Sequence, residues 1–379
     1  MSNLSVNTIT DASGGSTASI NGLTPQASNM QPHNLIINGA MTVAQRGTSS
    51  GTPATNNYIL DRFSLARLGG YPDNATQSQD NNAPNGFSKS FKIVRNSSHT
   101  LTGTNASVFY QVIEGQNMAY LNWGTSAAQP VTVSFWVKSN QTGSFPFIVA
   151  DAVDAYDIGK LYTISLADTW EYKTITIDGP TVGTFNTDNT AGAYIYWGFG
   201  AIDAARTAQG TTWGASNSSG SSKSMVTGAS TALATTSGAT FYITGVQLEA
   251  GSTASPFAHE NYADTLQKCQ RYYYYIGGGG GEFGLIGIAS RWDINTASYV
   301  GINHPQPMRG VPSLSYTGDI YLSFGGTGTL LTSLGAAYYN RENFRLWQQF
   351  NHGAIGSQGQ CGIVYCQASS GFLKFDAEL

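Results

Sequence analysis

Charge is what this chain has least of. Lys and Arg total 18 and Asp and Glu 22 in 379 residues, or 11% together, where an average globular domain carries roughly a quarter. Helical proteins lean on Glu, Lys, Arg and Leu, so this shortage argues against a helical architecture. The net charge of −4, with a pI near 5.7, leaves no basic patch to neutralise phosphates, and nucleic acid is excluded as a partner. No apolar run approaches the ~18 residues that cross a bilayer, so membrane insertion is not expected. Cysteine is equally sparse. Cys269, Cys361 and Cys366 are odd in number and irregular in spacing, which excludes a disulfide framework. The five histidines show no paired spacing of the kind zinc requires. The opening residues lack the basic stretch and apolar run of a secretory signal, so the chain is expected to fold in a cytoplasm.

What is abundant points one way. The sequence holds 45 Gly, 21 Tyr, 17 Phe and 7 Trp. Aromatic and β-branched residues favour strands, while Gly, Ser and Asn favour turns. The fold class is therefore all-β. Val131, Val133, Phe135 and Val137 alternate with Thr132, Ser134, Trp136 and Lys138, the pattern of a strand with one covered face. Val108, Tyr110 and Val112 alternate with Phe109, Gln111 and Ile113, so both faces of that strand should be covered. In 241–248 the apolar phase shifts at Gly245, and a bulge there would return Phe241, Ile243, Val246 and Leu248 to one face. The polar stretch 207–238 reads as a long surface loop. Trp123, Trp136 and Trp197 are candidates for the core.

Four parts follow from this texture. Residues 1–33 are polar, cannot bury a core, and read as an N-terminal attachment segment. Residues 34–258 carry regularly recurring strands and read as a jelly-roll β-sandwich. Within 259–276, a helix is expected over 259–270, with Glu260 and Asp264 early and Lys268 late, and it links to a junction containing Tyr272, Tyr273, Tyr274 and Tyr275. Residues 277–379 read as a smaller C-terminal β-sandwich tip.

Catalytic signatures are weak. GTSSG at 47–51 fits the nucleophile-elbow spacing but lies in a loop with no helix behind it. Gly279, Gly281 and Gly284 fit a dinucleotide fingerprint but precede a strand pattern. Asp151, Asp154 and Asp157 recur every third residue, whereas an EF-type calcium loop wants oxygens on alternate residues. No catalytic residue, metal or cofactor is expected. The positive signal is aromatic. In the tip, Trp292, Tyr316, Tyr338, Tyr339 and Trp347 lie near Arg341 and Asn343 in sequence. Rings that stack on a sugar, with polar groups that bond its hydroxyls, make these the candidate ligand-binding residues.

Three segments carry a resemblance. NLIINGAMTVAQRG (34–47), taken as an opening strand, with YILDRFSLAR (58–67), resembles the start of jelly-roll domains in tailed-bacteriophage fibre proteins, which are similar in pattern to carbohydrate-binding modules. VTVSFWVKSN (131–140) resembles their central strand and FYITGVQLEAGSTASPF (241–257) their closing strand. Gln247 and Glu249 stand where carbohydrate-binding relatives carry an acidic calcium site. The resemblance implies a virion fibre protein, homotrimeric and not an enzyme. It would attach to other virion proteins through residues 1–33 and recognise a host-surface glycan. A low-charge, Tyr-rich surface made in a cytoplasm suits a particle released to the outside. The alternatives are a capsid-bound fibre or decoration protein, and a glycan-degrading tailspike.

Overall fold

The computed structural model describes residues 34–50, 58–71, 74–102, 105–153, 155–201, 211–215, 226–278, 284–291, 296–340, 345–366 and 371–379. The segment 1–33 lies outside them. The fold is all-β. One six-stranded sheet runs, in spatial order, β1 (Ser49–Ser50), β3 (Ala75–Asp80), β4 (Ser90–Arg95), β12 (Thr240–Ala250), β6 (Val131–Ser139) and β9 (Glu171–Ile177). The second runs β11 (Gly214–Ala215), β8 (Tyr156–Ile164), β7 (Gly143–Asp151), β10 (Ala191–Ala201), β5 (Ala106–Glu114) and β2 (Ser64–Leu68). All strand pairings in both sheets are antiparallel.

The inner faces of the two sheets meet in one core. Val131, Val133, Phe135 and Val137 of β6 are fully buried in it, and the indole of Trp197 stands 5.2–5.8 Å from the rings of Phe109, Phe135 and Phe147. Strand β5 is covered on both faces, as its sequence requires. Phe109 and Ile113 join the inner core, while Val108, Tyr110 and Val112 join an outer cluster with Ile148, Tyr196 and Val226, against which Leu379 packs. The bulge in β12 is present. Gly245 has φ +63°, the register with β6 slips between Thr244 and Gln247, and Phe241, Ile243, Val246 and Leu248 all face the core.

Three expectations need correction. Residues 34–47 do not form an opening strand. Side-chain amides and isolated backbone bonds to β12 hold their backbone in place of a ladder: Asn34 receives the N–H of Leu248 and donates to Val246 O, Gln111 brackets Ile37, and Asn38 brackets Val43. Asn38 and Met41 adopt positive φ, which breaks any extended run. Gly39 is needed because a Cβ would overlap the carbonyl of Val246. Second, the described part of 207–238 is not all surface loop, since Val226, Leu233 and Ala234 are buried. Third, Trp123 and Trp197 are core residues, but Trp136 is half-buried on the outer face, 5.3 Å from its cross-strand partner Tyr172. Alternation along β6 dictates this, because Phe135 and Val137 take the inner positions.

The helix begins at Tyr262, later than expected, because Asn261 caps it by accepting the N–H of Asp264. It ends at Gln270 and leads into β13 (Tyr273–Gly277). The remaining strands are β14 (Gly284–Ser290), β15 (Ala297–Asn303), β16 (Ser313–Thr317), β17 (Ile320–Phe324), β18 (Thr327–Asn340), β19 (Arg345–His352), β20 (Cys361–Cys366) and β21 (Phe372–Asp376). The second β region is thus present, and its strands divide in two. A closed barrel runs β14-β15-β19-β18-β17-β20, and beside it a three-stranded sheet runs β13-β21-β16. Both share one core, with Ile302, Leu322, Phe350 and Val364 from the barrel and Leu373 and Phe375 from the small sheet.

Candidate functional site

The acidic motifs resolve into structural roles first, while Gly279 and Gly281 lie outside the described residues. Asp151 is buried and accepts the N–H groups of Ala155, Tyr156 and Thr184, so its carboxylate closes a turn; Asp154 lies outside the described residues. Glu249 is buried, and its oxygens accept from Ser255 N, Ser255 Oγ and Gln247 Nε2 at 2.6–2.9 Å. An amide and a hydroxyl therefore serve that carboxylate. In the GTSSG segment, Ser49–Ser50 pairs with β3 and no helix follows within the described residues.

The tyrosine run joins the sandwich to the C-terminal strands. Tyr272, Tyr273 and Tyr274 are buried, and each is tied to a different element. Tyr272 donates its hydroxyl to Glu114 Oε2 at 2.6 Å, and the Arg62 guanidinium lies 3.5 Å from its ring centre. The Arg46 guanidinium lies 3.5 Å from the centre of the Tyr273 ring. Tyr274 stacks on Phe375 at 4.5 Å and its hydroxyl meets Nδ1 of His304. Around them an ionic network fastens the end of the helix and residues 372–379 to the sandwich. Arg62 pairs with Glu378, Arg46 pairs with Glu378 at 3.3 Å and Asp376 at 3.1 Å, and Arg271 pairs with Glu114 at 2.5 Å. Arg309 adds bonds to the backbone oxygens of Asn189, Ala377 and Glu378.

This docking creates a groove of about 550 Å³. Its floor is the outward face of the small sheet, and period-2 alternation selects the residues on it. The register sets Tyr273, Asp376 and Ser313 in one row, Tyr275, Lys374 and Ser315 in the next, and Gly277, Phe372 and Thr317 in the third. The opposite parity, Tyr274, Leu314, Leu373 and Phe375, faces the core. One wall is the turn carrying Gln45, Arg46 and Gly47 from the sandwich. Tyr275 is 39% exposed and meets Phe372 edge-on at 5.1 Å. The groove is thus an aromatic corner beside two hydroxyls and a lysine, the mixture of apolar surface and a few polar anchors that suits a polyol.

The expected tip residues fall elsewhere. Trp292, Arg341 and Asn343 lie outside the described residues, as do the side chains of Tyr338, Tyr339 and Trp347, although Tyr338 and Trp347 are register partners across β18 and β19. Tyr316 is on β16 but packs against the core, with its hydroxyl donated to Thr332 O at 3.1 Å. Its neighbours Ser315 and Thr317 reach the groove instead. A signal for this groove was present in the sequence. Tyr273 and Tyr275 share one parity, as do Phe372, Lys374 and Asp376, but parity does not say that the two runs are adjacent.

No family model matches the chain, and no curated protein does. Among solved structures, the enzymatically active domain of tailspike protein 4 from bacteriophage CBA120 is similar over 58% of this chain and 22% of its own length, at 17% identity and TM-score 0.30. A family 11 carbohydrate-binding module from Clostridium thermocellum is similar over 55% of this chain and 99% of its own, at 11% identity and TM-score 0.27. A tandem CBM22 domain from Paenibacillus barcinonensis is similar over 91% of this chain and 96% of its own, at 8% identity and TM-score 0.27.

Proposed function

We propose that this protein is a glycan-recognition subunit of a phage virion, a fibre protein that binds a host-surface polysaccharide and does not cleave it. The observation that carries the reading is the groove between sandwich and small sheet, with Tyr275 and Phe372 as stacking surfaces and Ser315, Thr317 and Lys374 as polar anchors. Its test is a screen of the full chain against immobilised bacterial polysaccharides, followed by calorimetry on those that bind. Tyr275→Ala is expected to weaken binding about tenfold, since truncating an exposed aromatic anchor costs about 1–2 kcal/mol. Unchanged affinity in that variant would remove the groove from the reading. Release of new reducing ends from a bound polysaccharide would turn the protein into a depolymerase.

The trimeric state is part of the same proposal and has its own support. Leu285, Ile288, Leu330 and Ile363 are each 43–66% exposed on the outer wall of the barrel. The register places Leu285, Tyr365, Tyr321 and Leu330 in one row across β14, β20, β17 and β18, with Ile288 beside Ile363. A contiguous apolar wall of this kind is an association surface in a low-charge protein. Light scattering is expected to give about three times the chain mass of 40.2 kDa. A mass equal to one chain would refute the trimer.

A further inference from the structure

The groove's hydrogen-bonding inventory narrows its ligand, on the reading that it binds a glycan. Its acidic group is paired with Arg46. Asp376 gives Oδ2 to Arg46 at 3.1 Å and Oδ1 to the N–H of Glu378 at 3.1 Å. Arg46 lies over the Tyr273 ring and faces Asp61, Asp376 and Glu378 at 3.8, 3.1 and 3.3 Å. Gln45 spends its Nε2 on Asp61 Oδ1 and Tyr273 O.

Lys374 differs. It sits on the central strand of the floor, opposite Tyr275 on one side and Ser315 on the other. Its ammonium forms no hydrogen bond or ion pair among the described residues. Directly opposite residues stand about 5 Å apart at Cβ, so a substituent on a ring stacked over Tyr275 comes within reach of Lys374. The groove therefore offers the three N–H donors of an unpaired ammonium beside the hydroxyls of Ser315 and Thr317, which both donate and accept. A neutral sugar can use those hydroxyls but leaves the ammonium without a counter-charge. A sugar that carries negative oxygens is well served.

We infer that the groove selects a carboxylate-bearing sugar, a uronic or sialic acid unit, stacked on Tyr275 with its carboxylate on Lys374. The test uses the full chain and a calorimetric panel: oligogalacturonate, oligoalginate, hyaluronan oligomers and a sialylated oligosaccharide, each beside its carboxyl-reduced counterpart. The expected result is that at least one acidic member binds about tenfold more tightly than its reduced form. That preference should shrink with added salt and fall below about twofold in Lys374→Gln. Equal binding of acidic and reduced forms, with Tyr275→Ala still weakening both, would overturn the acidic preference and leave the glycan reading standing. Preference for a phosphorylated or sulfated glycan over every carboxylated one would also overturn it. If no member of the panel binds, and the wider polysaccharide screen is also blank, the glycan reading itself fails.

Discussion

Replacing Glu378 by alanine is expected to destabilise the protein by about 3–5 kcal/mol, the range measured when one member of a buried ion pair is removed. Glu378 bridges two guanidiniums, Arg62 and Arg46. Arg46 keeps Asp61 and Asp376 when Glu378 is lost, but Arg62 does not keep a carboxylate. Arg62 is 1% exposed, enclosed by the Tyr272 ring and the Val112 carbonyl. Its charge would be stranded, because a guanidinium does not shed its proton at accessible pH. The cost is thus mostly that of an uncompensated buried cation, and less that of a lost contact. A paired replacement, Arg62→Met with Glu378→Met, should accordingly cost much less than Glu378→Ala alone. Denaturant midpoints of the three proteins decide the matter. A loss below about 1 kcal/mol for Glu378→Ala would mean that water reaches Arg62 and that residues 372–379 are not clamped as described. The same residues form the groove floor, so the destabilised variant should also bind ligand less well.

The second large effect is a cancellation that single substitutions should expose. Burial pushes the Asp61 carboxyl up to about 6, against the pull of Arg46 at 3.8 Å. Burial also holds the His304 imidazole down to about 4, beneath the Tyr274 and Phe375 rings. The signs oppose each other. For Asp61 the folded state holds the proton more tightly than the unfolded chain, so its stabilisation is complete below about 3.8 and is lost as pH rises through about 6. For His304 the unfolded chain takes the proton first, so its stabilisation is complete above about 6.5 and is lost as pH falls through about 4. His352, also lowered by burial, acts in the same direction as His304. At 1.36 kcal/mol per unit of pKa, the Asp61 and His304 shifts are each worth about 3 kcal/mol, and about 2 after a discount for residual hydration. Wild-type stability should therefore be nearly flat between pH 4 and 6.5. Asp61→Asn should lose stability by about 2 kcal/mol as pH falls across that window, and His304→Gln should gain it. Parallel profiles for Asp61→Asn and wild type would show that Asp61 titrates normally.

How much of this was legible beforehand depends on the distance over which each feature is encoded. The alternation of Val131, Val133, Phe135 and Val137 announced a half-covered strand, and the phase shift at Gly245 announced a bulge. Both are statements about neighbours in the chain, and both hold. The same rule already placed Trp136 on the outer face with Thr132, Ser134 and Lys138, and a preference for burying tryptophan obscured it. Residues 34–47 were harder, because Leu35, Ile36, Met41 and Val43 are apolar enough for a strand. Only the amides of Asn34, Asn38 and Gln111 reveal that the backbone is satisfied without a ladder.

The sequence by itself determined the all-β class and the inward face of strands such as 131–138 and 241–248, because side-chain parity along an extended chain is local and has a period of two. Tertiary structure alone decided that β14, β15 and β17 to β20 close into a barrel, that Tyr272 to Tyr274 serve as a joint, and that a groove opens between Arg46 and Lys374. Those outcomes rest on pairings such as Arg62 with Glu378 and Gln45 with the Tyr273 carbonyl. Partners hundreds of residues apart leave no periodic trace, and charge and hydrogen-bond complementarity select them only once the sheets have formed.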